Sequence, residues 1–190
     1  MATWTFVRHG QSVANLAGWF AGHIDTELTD HGIDQARDVS KALANKTFGA
    51  TYSSDLIRAI DTAKVILESH PNTLQCDAAL RERDAGEWEY ASRKVLRAQG
   101  EMARLTSWHD APPGGESLQA LMLRVLPFLA NLDHQVPTLI VAHGGVIRGV
   151  IGLYDNLPLA EIGLCKIKNV EVIEREIGPT TWTSLLAKLH

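Results

Sequence analysis

The sequence predicts an α/β fold, a three-layer α/β/α sandwich with a mostly parallel central sheet and helices on both faces. Three observations predict it. Strand-like runs alternate with helical ones along the chain. Thr138-Leu139-Ile140-Val141-Ala142 is a continuous apolar run of the kind buried on both faces of a parallel sheet. Two strand candidates stop at a histidine, His9 and His143, which places both residues on the carboxyl edge where such sheets bind ligands.

Each element has its own local warrant. Thr3 to Val7 alternates and is rich in strand formers, then ends abruptly at Arg8-His9-Gly10. Thr29 or Asp30 is placed to cap a helix whose Ile33, Ala36, Val39 and Leu43 recur at helical spacing through Lys46. Phe48 to Ser53 reads as a second strand. Ser53 or Ser54 then caps a helix to about Ser69, with Ile57, Ile60, Ala63, Ile66 and Leu67 on its buried side. Leu74 to Cys76 is a third strand candidate, and Leu80 to Glu89 is too charged and Gly-interrupted to be core, so it reads as a loop. Tyr90 to about Leu105 is expected as a basic helix, after which Ala111-Pro112-Pro113-Gly114-Gly115 breaks the chain. Glu116 to Leu132 is another helix, carrying Leu118, Leu121, Val125, Phe128 and Leu129, and Gly144-Gly145 opens a further one through about Leu153. Val170 to Ile173 is the last strand candidate, with a hairpin over Lys166 to Ile177 as the alternative.

A chain of 190 residues that is 45% hydrophobic fits one domain, 1–190, around one sizeable core. A net charge of -4 and a pI near 6.0 give no broad attraction for nucleic acid or an anionic membrane, so an anionic substrate needs a local cluster of Arg and His. Cys76 and Cys165 match no metal or redox spacing and are expected as reduced core thiols. No basic leader precedes the first strand and no apolar stretch reaches the roughly 18 residues of a membrane span, which favours a cytoplasmic protein. No HxH or HExxH spacing supports a metal site, no cofactor is implied, and oligomeric state has no signature.

Arg8-His9-Gly10-Gln11-Ser12 is weak evidence alone, because so short a string arises by chance. It is accompanied by Leu28-Thr29-Asp30-His31-Gly32-Ile33-Asp34-Gln35-Ala36, by the Ser54 to Ala63 segment with Arg58, by Leu80-Arg81-Glu82-Arg83 followed by Gly86-Glu87-Trp88-Glu89, by Gly115-Glu116-Ser117, and by Ala142-His143-Gly144-Gly145. In this order, over nearly the whole chain, the sequence resembles the histidine phosphatase superfamily, also called the phosphoglycerate mutase-like family, and within it the phosphatase branch. The resemblance implies His9 as the nucleophile, Arg8 and Arg58 as phosphate ligands, Asn15, Gly22 and Gly144 as further phosphate contacts, Glu82 as proton donor and His143 as the second active-site histidine. Tyr90 stands where the family usually has a glycine, which leaves the path of the following segment open.

The residue types suit that chemistry. A phosphoryl group in transfer spreads negative charge over its equatorial oxygens, so fixed cationic donors are the main catalytic resource. Arg8, Arg58 and His143 are the donors expected here, with helix N-termini near Gly10 and Gly144 adding backbone N–H groups. His9 has to attack as neutral imidazole, which neighbouring arginines favour. Glu82 would protonate the leaving oxygen.

The expected activity is metal-independent hydrolysis of a small phosphorylated metabolite through a phosphohistidine. Two alternatives stand beside it: a phosphoglycerate mutase that returns the phosphoryl group to another hydroxyl, and a protein that binds phosphate ligands without turnover. Several residues keep two readings. Arg58 is a ligand or an ordinary helix-surface charge. Glu82 is the acid or part of a solvated loop in which Asp84 or Glu87 serves instead. His23 touches substrate or is solvated surface. Trp88 and Trp108 wall the pocket or pack the core. Arg93, Lys94, Arg97 and Arg104 form a solvated helix face or a lid that receives an anionic tail. His31, His70, His134 and His190 read as turn or terminal residues.

Overall fold

The computed structural model describes residues 1–189, so the reading of His190 lies outside the described residues. In chain order the elements are β1 (Ala2–Arg8), α1 (Val13–Ala17), α2 (Asp30–Leu43), β2 (Ala50–Ser54), α3 (Ile57–Leu67), β3 (Gln75–Asp77), α4 (Arg93–Ala98), α5 (Met102–Thr106), α6 (Leu118–Ala130), β4 (Thr138–Ala142), α7 (Gly144–Tyr154), α8 (Leu159–Ile162), β5 (Val172–Ile177) and α9 (Thr181–Ala187). The strands form one sheet in the order β3-β2-β4-β1-β5, parallel except for β5.

Strand alternation explains the three layers. Trp4 and Phe6 of β1 and Ile140 and Ala142 of β4 point to one face, where they pack with Leu121, Val125, Val146, Val150 and Trp182 of α6, α7 and α9. Val7, Leu139 and Val141 point to the other, against Val39, Leu43, Ala59, Ala63 and Ile66 of α2 and α3. Both faces of β4 are therefore covered, which is why its sequence shows no alternation. Each fully buried Leu, Ile or Phe in these layers stabilises the fold by about 1.5–3 kcal/mol.

The topology assembles the site. β1 and β4 are neighbours with Arg8 opposite Ala142, so the residues that follow, His9 and His143, leave the same edge side by side. β2 lies on the other side of β4 and delivers the first turn of α3 to that edge. Because β5 runs antiparallel, with Val172 opposite Val7, its beginning also lies there and brings the 163–171 loop to the site.

Several expectations need correction. Cys76 is exposed on the edge strand, and Cys165 is half-buried in the wall of a cleft, so neither is a core thiol. The Tyr90 to Leu105 helix is two short helices separated around Gly100, whose φ of +79° breaks the α conformation. Tyr90 itself adopts the left-handed conformation a glycine would take, with φ +63°, and its ring stacks on Trp19 at 5.0 Å. The last strand is a single antiparallel strand, four residues longer at its C-terminal end than expected, and pairs with β1 instead of forming a hairpin. α3 is capped from a distance: Ile57 N–H donates to Asp25 at 2.8 Å, while the Ser54 hydroxyl accepts only from Leu56. The Thr29 cap of α2 forms as expected, accepting from Gly32 N–H at 3.0 Å, which places His31 in the first helical turn and not in a turn preceding it. α9 has no counterpart in the sequence expectation.

Candidate active site

His9 follows β1 directly and is 3% exposed. Its Nδ1 lies 2.7 Å from the Gly10 carbonyl oxygen, which can only accept. Nδ1 therefore carries the hydrogen, and the Nε2 lone pair is left free. Burial, then the charges of Arg58 and Arg8, hold its pKa well below the ordinary imidazole value, so the ring is neutral at neutral pH. The His143 ring stands edge-on to it, centroids 5.1 Å apart. His143 is fully buried, and among the described residues neither ring nitrogen has a hydrogen-bond partner. Leaving two buried nitrogens unpaired is costly unless a ligand supplies the partner.

Both arginines are fixed by backbone carbonyls. Arg58, in the first turn of α3, gives Nη1 to Ile24 O and Nη2 to Gly22 O, each at 2.9 Å. Burial draws its pKa down to about 10, which leaves it cationic. It is thus buried in the cavity wall and not a surface charge. Arg8 gives Nη1 to Ile167 O at 2.6 Å, and among the described residues its buried Nε has no partner. Asn15, which lines the cavity, accepts at Oδ1 from Ser12 N–H and Asn169 Nδ2, at 3.3 and 3.1 Å, and among the described residues nothing accepts from its own amide N–H groups. Gly22 sits at φ +50°, and a Cβ there would lie 2.4 Å from Glu89 Oε1.

Glu82 faces the same cavity. Its carboxylate accepts from Gly145 N–H, at 3.0 and 3.1 Å to its two oxygens, and from Arg83 N–H at 2.8 Å. Burial pushes the carboxyl up, but the Arg148 charge, these backbone donors and Arg58 outweigh it, so the pKa lies below the ordinary carboxylate value. The first turn of α7 thus holds Glu82 with an N–H that was expected to serve phosphate. Gly10 differs as well: its N–H donates to Thr62 Oγ1, and α1 starts only after the Ser12 cap.

The Glu82 loop is trussed from α6. Arg124 donates to the carbonyls of Ala78, Ala79, Arg81 and Glu82 and forms a two-point pair with Glu116, at 3.0 and 2.7 Å, while Glu116 accepts from Asp84 N–H. His23 also braces the loop, its Nε2 2.8 Å from the Glu82 carbonyl, and is neither a cavity residue nor free surface. Glu87 is exposed, and Asp84 turns to Gly86 N–H; neither lines the cavity. Trp88 and Trp108 are both buried in packing clusters away from the cavity wall.

The cavity holds about 600 Å³. Arg8, Arg58, Arg83, Arg93, Arg97, Arg148, Lys166 and Lys168 line it, against the single carboxylate of Glu82. In a chain of net charge -4 this is a strongly localised positive field. The basic helix series divides. Arg93, whose guanidinium lies 4.6 Å over the Phe20 ring, and Arg97 face the cavity, whereas Lys94 and Arg104 are exposed outside it. Arg148 was not anticipated, although it falls one helical turn after Gly144 and so on the same face. Thr62 falls within the Ser54 to Ala63 segment, although its hydrogen bond to the Gly10 N–H is not legible there; Asn169 and Arg124 have no sequence signal, since their roles depend on contacts distant in the chain. Among the described residues no group of three His, Cys, Asp or Glu is arranged to share a metal ion.

Comparison with known proteins bears on this geometry. The profile of the histidine phosphatase superfamily (branch 1) matches residues 4–189. The chain is 35% identical to an adenosylcobalamin/alpha-ribazole phosphatase of Salmonella typhimurium, covering 85% of this chain and 83% of the relative. It is 36% identical to a 2,3-bisphosphoglycerate-dependent phosphoglycerate mutase of Rhizobium etli, covering 79% and 78%. Among solved structures, a mycobacterial glucosyl-3-phosphoglycerate phosphatase in complex with VO3 superposes with a TM-score of 0.84 at 29% identity, covering 92% of this chain and 90% of that one.

Proposed function

The chain belongs to the histidine phosphatase superfamily, and from that premise we propose that it acts as one domain, 1–190, hydrolysing a small phosphorylated metabolite through a phosphohistidine on His9. The observation that carries the assignment is the His9 ring: Nδ1 is committed to the Gly10 carbonyl, and Nε2 is free beside the partnerless His143 and two anchored arginines. Nε2 attacks phosphorus and a N–P bond forms. As the P–O bond to the leaving group breaks, Arg8, Arg58, His143 and Asn15 hold the equatorial oxygens. The leaving oxygen takes a proton from Glu82. Water then attacks the phosphohistidine, gives its proton to Glu82, and phosphate departs with His9 restored.

With its pKa below the ordinary carboxylate value, Glu82 is a carboxylate at neutral pH, so its proton has to arrive with the substrate. A phosphomonoester has its second pKa near about 6, and its monoanion carries that proton in. The dianion placed beside Glu82 achieves the same end by raising the carboxyl pKa.

A mutase reading is favoured by the phosphoglycerate mutase among the relatives. Against it stands the short lid, α4 and α5, since a mutase has to keep water from the phosphohistidine while a bisphosphate reorients. The test is a panel of phosphorylated metabolites that includes 3-phosphoglycerate with a trace of 2,3-bisphosphoglycerate. Phosphate release exceeding isomerisation supports hydrolysis. Isomerisation ahead by about tenfold, equivalent to about 1.4 kcal/mol in favour of the sugar-acid hydroxyl over water, makes the chain a mutase. A cytoplasmic location accompanies the proposal, and cell fractionation checks it.

A further inference from the structure

The turn that leads into β5, outside every motif that identifies the catalytic residues, grips the nucleophile loop. Asn169 spends both amide hydrogens there: Nδ2 donates to the His9 carbonyl at 2.9 Å and to Asn15 Oδ1 at 3.1 Å. The next residue, Val170, donates its backbone N–H to the Arg8 carbonyl at 3.0 Å and to that of His9 at 3.4 Å. Val170 does this at φ +53°, a left-handed conformation that a β-branched residue almost never adopts. Such strain persists only where the surroundings over-determine it, and it concentrates at functional sites. The turn is closed on itself, Glu171 N–H reaching the Lys168 carbonyl at 3.2 Å and Lys168 N–H reaching Glu171 Oε2 at 2.6 Å.

We propose that Asn169 is a positioning residue for phosphoryl transfer: it orients the Asn15 amide toward the phosphoryl site and fixes the main chain that carries His9. The Asn15 carboxamide can point either nitrogen or oxygen into the cavity. Two donors, Asn169 Nδ2 and Ser12 N–H, converge on one of its atoms, so that atom is the oxygen, and the nitrogen is left for the anion. Without Asn169 only the longer Ser12 contact enforces that orientation, and a turned amide would present an acceptor to the phosphoryl oxygens. The clamp thereby couples a strained turn at the sheet edge to a substrate-facing side chain.

Resting on the assignment of His9 and Asn15 above, the proposal is tested by a double-mutant cycle on the full chain with an alkyl phosphate substrate. Asn169→Ala is expected to lower kcat/KM by about 10- to 100-fold, the scale of a small misplacement in a preorganised site. In the Asn15→Ala background the same substitution should cost about tenfold less, because the amide it orients is gone. Inorganic phosphate, titrated as a competitive inhibitor, should weaken in Asn169→Ala and not weaken further in the double variant. Should Asn169→Ala fail to fold, Asn169→Ser, which keeps one donor, is read in the same cycle. Factors that simply multiply, with Asn15→Ala itself impaired, overturn the clamp alone. An Asn15→Ala variant as active as the parent overturns the phosphate-ligand assignment instead.

Discussion

Gly145 offers a way to move Glu82, the proposed proton donor, without substituting it. A Cβ at this position would lie 2.1 Å from Glu82 Oε1 and 3.1 Å from its Cδ, against 3.4 Å for ordinary contact with Leu121. The carboxylate therefore has to retreat by more than an ångström in Gly145→Ala. The obstacle is the end of a flexible side chain, and alanine is a better helix former than glycine by about 0.5–1 kcal/mol, so the fold should survive. The Gly145 N–H contacts are charge-assisted, in the class worth about 1.5–3 kcal/mol, and they are what keeps Glu82 in the cavity. A displacement of about 1 Å costs on the order of 100-fold in rate. For an alkyl phosphate we expect kcat/KM to fall by about 100-fold, or about 2.7 kcal/mol. For p-nitrophenyl phosphate, whose phenolate leaves with little need of a proton, the loss should stay under about tenfold. Steady-state kinetics on both substrates, with thermal unfolding alongside, measures this. Equal losses on the two substrates, or none on either, would refute the placement of Glu82 as the acid held by the start of α7.

Four further outcomes follow from the site. Glu82→Gln should show the same leaving-group dependence as Gly145→Ala, and a p-nitrophenyl phosphate rate reduced as much as that of an alkyl phosphate would point to another donor. Arg124→Ala removes the truss from the Ala78 to Glu82 carbonyls and should lower both kcat and melting temperature; if kcat falls with Tm unchanged, the truss has no structural part. His9 and His143 are neutral in the fold, whereas in the unfolded chain they protonate near pH 6.5; below that value the unfolded state binds more protons, and stability falls by up to about 1.4 kcal/mol per pH unit for each. Tm should therefore drop as pH is lowered from 6.5, and a Tm flat to pH 5 would contradict the burial of two neutral imidazoles. Turnover is expected to survive dialysis against chelator, since the proposed phosphate ligands are arginine, histidine and asparagine; loss restored by a divalent ion would show otherwise.

What the sequence makes legible is what is local. β1, β4 and the two histidines that follow them are spelled out by short apolar runs ending at glycine-flanked histidines, and the parallel register of those strands turns two distant motifs into one site. The Thr29 cap and the α2 stripe are likewise contained in one helix length. The features that escaped are those decided by partners far away. Cys76 sits among residues that suggest a core, yet β3 is an edge strand with its thiol exposed. The segment after Tyr90 breaks at a glycine that a basic helical pattern obscures. Arg148 and Asn169 reach the site only because α7 starts just after His143 and β5 returns antiparallel beside β1. Arg124 serves five groups on two stretches of chain, 78–82 and Glu116, which no spacing rule encodes.

The central claim is that His9 Nε2 takes the phosphoryl group. Rapid mixing with a radiolabelled phosphomonoester, followed by denaturing quench at alkaline pH, measures it directly. A N–P bond formed at His9 predicts label that stays with the wild-type chain in base, is lost in acid, and is absent from His9→Ala. Label that resists acid, or that persists in His9→Ala, would contradict it.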